Sequence, residues 1–173
     1  MPDLVTVLGT GTEPTPGPWQ VTVDLGSGHR RSSGIVDADP IDARGSVRLL
    51  GVTTIGGTPT AFAAVGVGAS TTIIALFQLR SCELVRVTEG AERPATLTVG
   101  GTVTHLDGIR CEENGALTVL SATSLDGVDY TGTASTATID VGVLRKQPPT
   151  PQPLTPDQLE GYGQLRCPGI EPL

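Results

Sequence analysis

An all-β, antiparallel fold is what this sequence predicts, and three compositional observations carry the prediction. Glycine and proline number 23 and 14 among 173 residues, far too many breaks for a helical bundle. Aromatic residues stand at 3%, so a core has to be assembled from Val, Leu, Ile, Ala and threonine methyls, the set that strands favour. Charged residues at 17% are too few for a disordered acidic chain, and the length suits one domain or two very small ones.

The expected strands group into units. Gly45-Ser-Val-Arg-Leu-Leu50 is echoed by Gly101-Thr-Val-Thr-His-Leu106 at a spacing of 56. Ala61-Phe62 returns as Ala116-Leu117, and Val85 and Val87 return as Val141 and Val143. The reading is an all-β domain over 1–147, with a degenerate unit 3–44 and repeats 45–100 and 101–147. The first repeat predicts strands at 46–54, 60–67, 72–79 and 83–88, broken at Gly56-Gly57, Ala69-Ser70 and Arg80-Ser81. The second predicts strands at 102–111, 116–122, 130–140 and 141–145, with a bend near Gly142. Asn114-Gly115 is the strongest turn signal, because both central positions of a type I′ hairpin turn need positive φ; Asp126-Gly127 is the next. From Gln147 the run Gln-Pro-Pro-Thr-Pro-Gln-Pro favours extended polyproline geometry, so 148–173 reads as a Pro-rich linker and tail. Thr155 caps a short helical turn with Pro156 at its first position, and Tyr162, Leu165 and Cys167 are placed to anchor the tail on the sheets.

Four-stranded antiparallel repeats of this length read as propeller blades, or as a β-sandwich or small barrel. A closed propeller takes at least about four blades, and 173 residues supply only about three units of 56. Either the units pack face to face, or a partner chain covers their open edges in a homo-oligomer.

Lys plus Arg number 11 against 18 Asp plus Glu, a net charge of −7. Sequence-independent binding of phosphate backbones therefore has no electrostatic footprint, and nucleic acid is not an expected partner. No apolar run is long enough for a transmembrane segment. Met1-Pro2-Asp3 does not begin a signal peptide, so an exported protein would have its leader outside these residues. Gly66-Val-Gly-Ala-Ser-Thr71 lacks the third glycine and the following helix of a dinucleotide fingerprint, and is not read as one.

Two segments carry a resemblance. Val99-Gly-Gly-Thr-Val-Thr-His-Leu-Asp-Gly-Ile-Arg-Cys111 and the stretch from Val65-Gly-Val-Gly-Ala-Ser to Leu-Arg-Ser-Cys-Glu-Leu-Val85 resemble exported actinobacterial proteins and lipoproteins with VCBS or FG-GAP-like repeats. The ending Tyr162-Gly-Gln-Leu-Arg-Cys167 is similar to theirs, and the matches span roughly half the chain. The resemblance implies an extracellular or cell-envelope location and a blade-like β fold, with no catalytic motif. FG-GAP repeats commonly carry a calcium loop, whose nearest counterpart is Asp37-Ala-Asp39-Pro-Ile-Asp42. Calcium takes six to eight oxygens, and Asp37, Asp39 and Asp42 would be its carboxylate ligands. Ile41 stands where a third ligand is expected and no glycine follows it, so a solvated acidic turn and no cofactor is the competing reading.

Cys82, Cys111 and Cys167 have neither zinc-site nor redox-motif spacing. A Cys82 to Cys111 disulfide would staple neighbouring units across about 29 residues, worth roughly 3 kcal/mol. Cys111 to Cys167, tying down the tail, is the rival, and free thiols the third option. The two histidines are His29 and His105. In Gly26-Ser-Gly-His-Arg-Arg-Ser-Ser33 a hydroxyl and an imidazole are near in sequence, but the glycine spacing of a nucleophile elbow is missing. His29, Arg30 and Arg31 instead form the expected binding segment, the two arginines offering anion-binding forks in an otherwise acidic chain.

The function expected from these features is a non-enzymatic secreted or envelope module that binds a protein or glycan partner through its loops or an open sheet edge. A hydrolase centred on His29 or His105 is the first alternative, and a self-associating structural subunit the second.

Overall fold

The computed structural model describes residues 2–9, 19–25, 30–36, 47–81, 83–90 and 93–173. The described residues are almost entirely β, with one four-residue helix, so the protein is all-β as expected. β1 (Pro2–Gly9), β2 (Trp19–Leu25) and β3 (Arg30–Val36) form a three-stranded antiparallel sheet in chain order. The remaining strands belong to one large, mostly antiparallel sheet that does not close into a barrel. It begins with β4 (Arg48–Ile55), β5 (Thr58–Val67), β6 (Thr71–Arg80) and β7 (Glu83–Arg86), a meander. Two short strands, β8 (Thr88–Glu89) and β9 (Arg93–Pro94), lead into β10 (Thr96–Thr102). A second meander follows: β11 (His105–Cys111), β12 (Leu117–Ser124), β13 (Tyr130–Asp140) and β14 (Val143–Lys146). The chain ends with β15 (Thr150–Leu154), α1 (Pro156–Leu159) and β16 (Leu165–Arg166).

The meanders are not separate blades, because β10 pairs with β6 on one side and β11 on the other. The long strands β6 and β13 each carry one long partner and share their other side between two shorter ones. For β6 these are β10 and β7, and for β13 they are β15 and β14. Val85 and Val141 do not occupy matching places: Val85 pairs with Gln78 inside β7, whereas Val141 lies in the turn between β13 and β14.

Alternation along the strands sorts side chains into three clusters. Phe62, Ile74 and Leu76 from the first meander share one buried cluster with Ile109, Leu117, Ala137 and Ile139 from the second. Strands so far apart in the sheet order meet only if the sheet doubles over, which makes the architecture sandwich-like. The opposite face of β5 and β6 buries Ala61, Ala63, Val65, Ala75 and Phe77 in a second cluster, and the three-stranded sheet lies against β4 and β7. The outer face of β12 buries Leu120 and Ala122 under Tyr162, with Leu154 and Leu159 packed alongside.

The tail is thus structural. β15 pairs antiparallel with β13, so the Pro-rich run is a sheet strand where a linker was expected. Pro151 and Pro153 stand opposite Thr133 and Thr131, and their missing N–H groups blunt this edge against further pairing. β4, the strand at one end of the sheet order, receives the end of the chain: Gly51 bridges Ile170 and the Glu171 N–H donates to the Leu50 carbonyl. A side chain at Gly51 would meet the Gly169 carbonyl oxygen at 2.2 Å, so only glycine allows the approach.

β16 pairs in parallel with β11, Ile109 opposite Leu165 and Arg110 opposite Arg166. The next residue on each strand is a cysteine, and Cys111 and Cys167 form a disulfide with Cα atoms 4.8 Å apart. This corrects the Cys82 to Cys111 pairing expected first, because strand register brings Cys167 beside Cys111; Cys82 lies outside the described residues. Among the described residues, no helix is long and apolar enough to cross a membrane.

Candidate functional site at one end of the sandwich

Of the residues singled out from sequence, His29, Asp37, Asp39 and Asp42 lie outside the described residues. Arg30 and Arg31 open β3, paired with Asp24 and Val23 of β2. Among the described residues, no three His, Cys, Asp or Glu side chains converge as a metal site. His105 opens β11 with its Nε2 3.0 Å from Asp107 Oδ2, two residues on and on the same face of the strand. Among the described residues Asp107 is the hydrogen-bond partner of this imidazole, and Thr123 is its cross-strand neighbour.

Three chain reversals meet at the His105 end. The Gly101 N–H donates to the Ser70 carbonyl and so joins the β5–β6 hairpin to β10. The Ser124 N–H donates to the Thr104 carbonyl, and the Tyr130 hydroxyl to the Val103 carbonyl, which fastens the β12–β13 loop to the β10–β11 turn.

The β12–β13 loop is held by its own polar side chains. Asp126 Oδ1 accepts from the N–H groups of Val128 and Asp129, at 2.9 and 3.1 Å, and from the Ser124 hydroxyl at 3.0 Å. Ser124 Oγ in turn accepts from the N–H groups of Asp126 and Gly127. These are the local bonds by which Asp and Ser stabilise turns. Gly127, at φ +78°, supplies the left-handed residue, and a Cβ there would stand 3.4 Å from the Val103 carbonyl oxygen. The backbone N–H groups of Val128 and Asp129, and then the Ser124 hydroxyl, hold the Asp126 carboxyl below its ordinary pKa.

What the pinned loop shows to water is aliphatic. Leu125 is fully exposed at 104%, Val128 at 74% and Val103, beside Gly127, at 77%. A shallow cavity of about 360 Å³ lies next to them, lined by Thr123, Ser124, Leu125, Asp126, Asp129 and Thr131. Single exposed apolar residues are ordinary, but here three stand on two adjoining turns that hydrogen bonds hold together.

The opposite end differs. Glu112 accepts from the Thr118 hydroxyl and from Arg110 Nε, which together hold its carboxyl below the usual range, the Thr118 bond acting most. The shallow cavity beside it, about 310 Å³, is lined by Glu113, Asn114 and Thr54 among others, and among the described residues one exposed valine, Val141 in the β13–β14 turn, stands at this end in place of three.

Compared with protein-family models, curated proteins and solved structures, the chain finds a match in none of the three.

Sequence reasoning passed over Val103, Leu125 and Val128. Their one signal is aliphatic side chains in or beside turns, where polar residues are the rule: Leu125 and Val128 flank Asp126-Gly127.

Proposed function

We propose that this chain is a secreted or cell-envelope β-sandwich module whose task is binding, and that it holds a protein or glycan partner on the turns around Val103, Leu125 and Val128. The observation that carries the reading is the combination at that end: a loop ordered by five hydrogen bonds from Ser124 and Asp126 that exposes aliphatic side chains serving no core. Loops positioned by a rigid sheet are the usual place for recognition. The Cys111–Cys167 disulfide supports an oxidising, extracytoplasmic setting. His29, Arg30 and Arg31 enter the proposal as a second contact, for an anionic group on the partner.

The test is selection of ligands from a glycan array and a random peptide library, followed by titration of the double variant Leu125→Ser/Val128→Ser. Loss of binding with an unchanged melting curve is the expected result. Ligands that bind the variant as well as the wild type would move the site elsewhere.

A second reading, a hydrolase, draws on the His105–Asp107 pair alone, which would need the Thr123 hydroxyl or a water as nucleophile. Its test is turnover of a panel of activated esters and glycosides by wild type and His105→Ala. Equal background rates would end it.

A further inference from the structure

We infer that the occupant of this end is a protein whose contact face has apolar side chains at its centre and lysine or arginine at its rim. This rests on the reading of the turns as a binding face and adds the chemistry of the partner. The centre follows from Val103, Leu125 and Val128, whose exposure is relieved only by an apolar surface. The rim follows from charge. Segments 67–71, 102–107 and 124–131 contain Asp107, Asp126 and Asp129, and no lysine or arginine. A partner that desolvates the aliphatic tips must approach these carboxylates, and opposite charge at an interface rim steers encounter and suppresses wrong partners.

The same observations argue against the two other occupants. Loops that dip into bilayers carry lysine, arginine or interfacial aromatics to meet the headgroups, whereas these aspartates repel anionic lipid. Tyr130, the Phe/Tyr/Trp residue of these segments, is packed against the Leu120, Ala122 and Tyr162 cluster and held there by its bond to the Val103 carbonyl, so its ring is not presented as a platform for stacking a sugar. The preorganised loop also lowers the ordering cost of binding, as suits a rigid protein–protein contact.

The experiment uses the full chain and a random peptide library displayed on phage. Peptides enriched on the wild type are synthesised and titrated at low and at high salt against three proteins: wild type, Leu125→Ser/Val128→Ser and Asp129→Asn. Asp129 enters the loop's bonding through its backbone N–H, so the asparagine variant changes charge without unpinning the loop. The expected peptides combine apolar residues with Lys or Arg. They lose on the order of a hundredfold in affinity on the double variant. They lose severalfold on Asp129→Asn, and their on-rates fall about tenfold or more with added salt. Peptides that need Leu125 and Val128 but carry no basic excess, and ignore both salt and Asp129→Asn, would overturn the inference and leave the binding face standing. Peptides indifferent to the double variant would overturn both. Cosedimentation with neutral phosphatidylcholine vesicles, lost in the double variant, would make the occupant a lipid surface and overturn the inference as well.

Discussion

The Tyr130 hydroxyl donates to the Val103 carbonyl across 27 residues of sequence, and this bond fastens the β12–β13 loop to the β10–β11 turn. Tyr130→Phe removes the bond and keeps the ring. A net loss of about 1 kcal/mol is expected, the usual worth of one such bond. Amide exchange at Val128 and Asp129 should accelerate while exchange in β5 and β6 stays unchanged. Ligands of the loop end should bind severalfold more weakly. Unchanged exchange at 128 and 129 would show that Ser124 and Asp126 order the loop unaided.

Asp126 makes the loop sensitive to acid. Its folded-state carboxyl lies below the ordinary value because Val128 and Asp129 N–H groups and the Ser124 hydroxyl favour the ionised form. A depressed carboxyl pKa contributes stability above the unfolded value, near 3.9 for aspartate, and that contribution is lost as pH falls through the folded value. The loop should therefore stay ordered from neutral pH to about pH 5 and loosen below about pH 4. Backbone amide shifts of Val128 and Asp129 report it. In Asp126→Asn, whose amide oxygen still accepts, this acid step should vanish. Its persistence would assign the titration to another group.

The same region shows where the sequence was legible and where it was silent. β5 and β6 could be placed within about two residues because short continuous apolar runs bounded by turn residues mark strands buried on both faces. The Asp126-Gly127 reversal was equally plain. The break between β10 and β11 was not: Thr102 pairs with His105 across Val103-Thr104, two β-branched residues where a hairpin normally shows glycine or asparagine. The Thr102 hydroxyl, accepting from the Thr104 N–H, does the work that turn residues usually do. With that turn hidden, 102–111 read as one strand, β10 went unseen, and Val103 passed for a strand residue instead of an exposed tip. Asn114-Gly115 misled in the other direction. It forms a hairpin, but with only Gly115 at positive φ and with its N–H on the Glu112 carbonyl, so the loop is longer than a type I′ turn. The Cys111–Cys167 pairing depends on the parallel register of β16 with β11, and no local pattern encodes a contact of that range.

Val141 occupies φ +50° in the turn between Asp140 and Val143, ahead of Gly142 at φ +78°. A β-branched residue in the left-handed region costs about 1–2 kcal/mol, whereas asparagine enters it readily. Val141 is 68% exposed, so little burial offsets the strain. Val141→Asn should stabilise the fold by about 1 kcal/mol, read as a higher urea midpoint at unchanged slope. A lower midpoint would mean that the valine side chain contributes more than its exposure indicates.

The Cys111–Cys167 bond closes a separation of 56 residues, for which the chain-entropy model gives about 4 kcal/mol. Cys167→Ser should lose roughly that amount in equilibrium unfolding. The tail should nonetheless stay docked near neutral pH, because Tyr162, Leu165 and Ile170 are buried and each buried side chain of this size contributes about 1.5–3 kcal/mol. Limited proteolysis separates these effects: new cleavage between β14 and β16 would show that the disulfide, and not packing, retains the tail. Reductant supplies the control. Reduced wild type and Cys167→Ser should unfold at the same denaturant concentration, and reductant should leave the variant unmoved. A further drop in the variant would require a second bridge between its remaining thiols Cys82 and Cys111, or one between chains, and would return Cys82 to the disulfide chemistry of this protein.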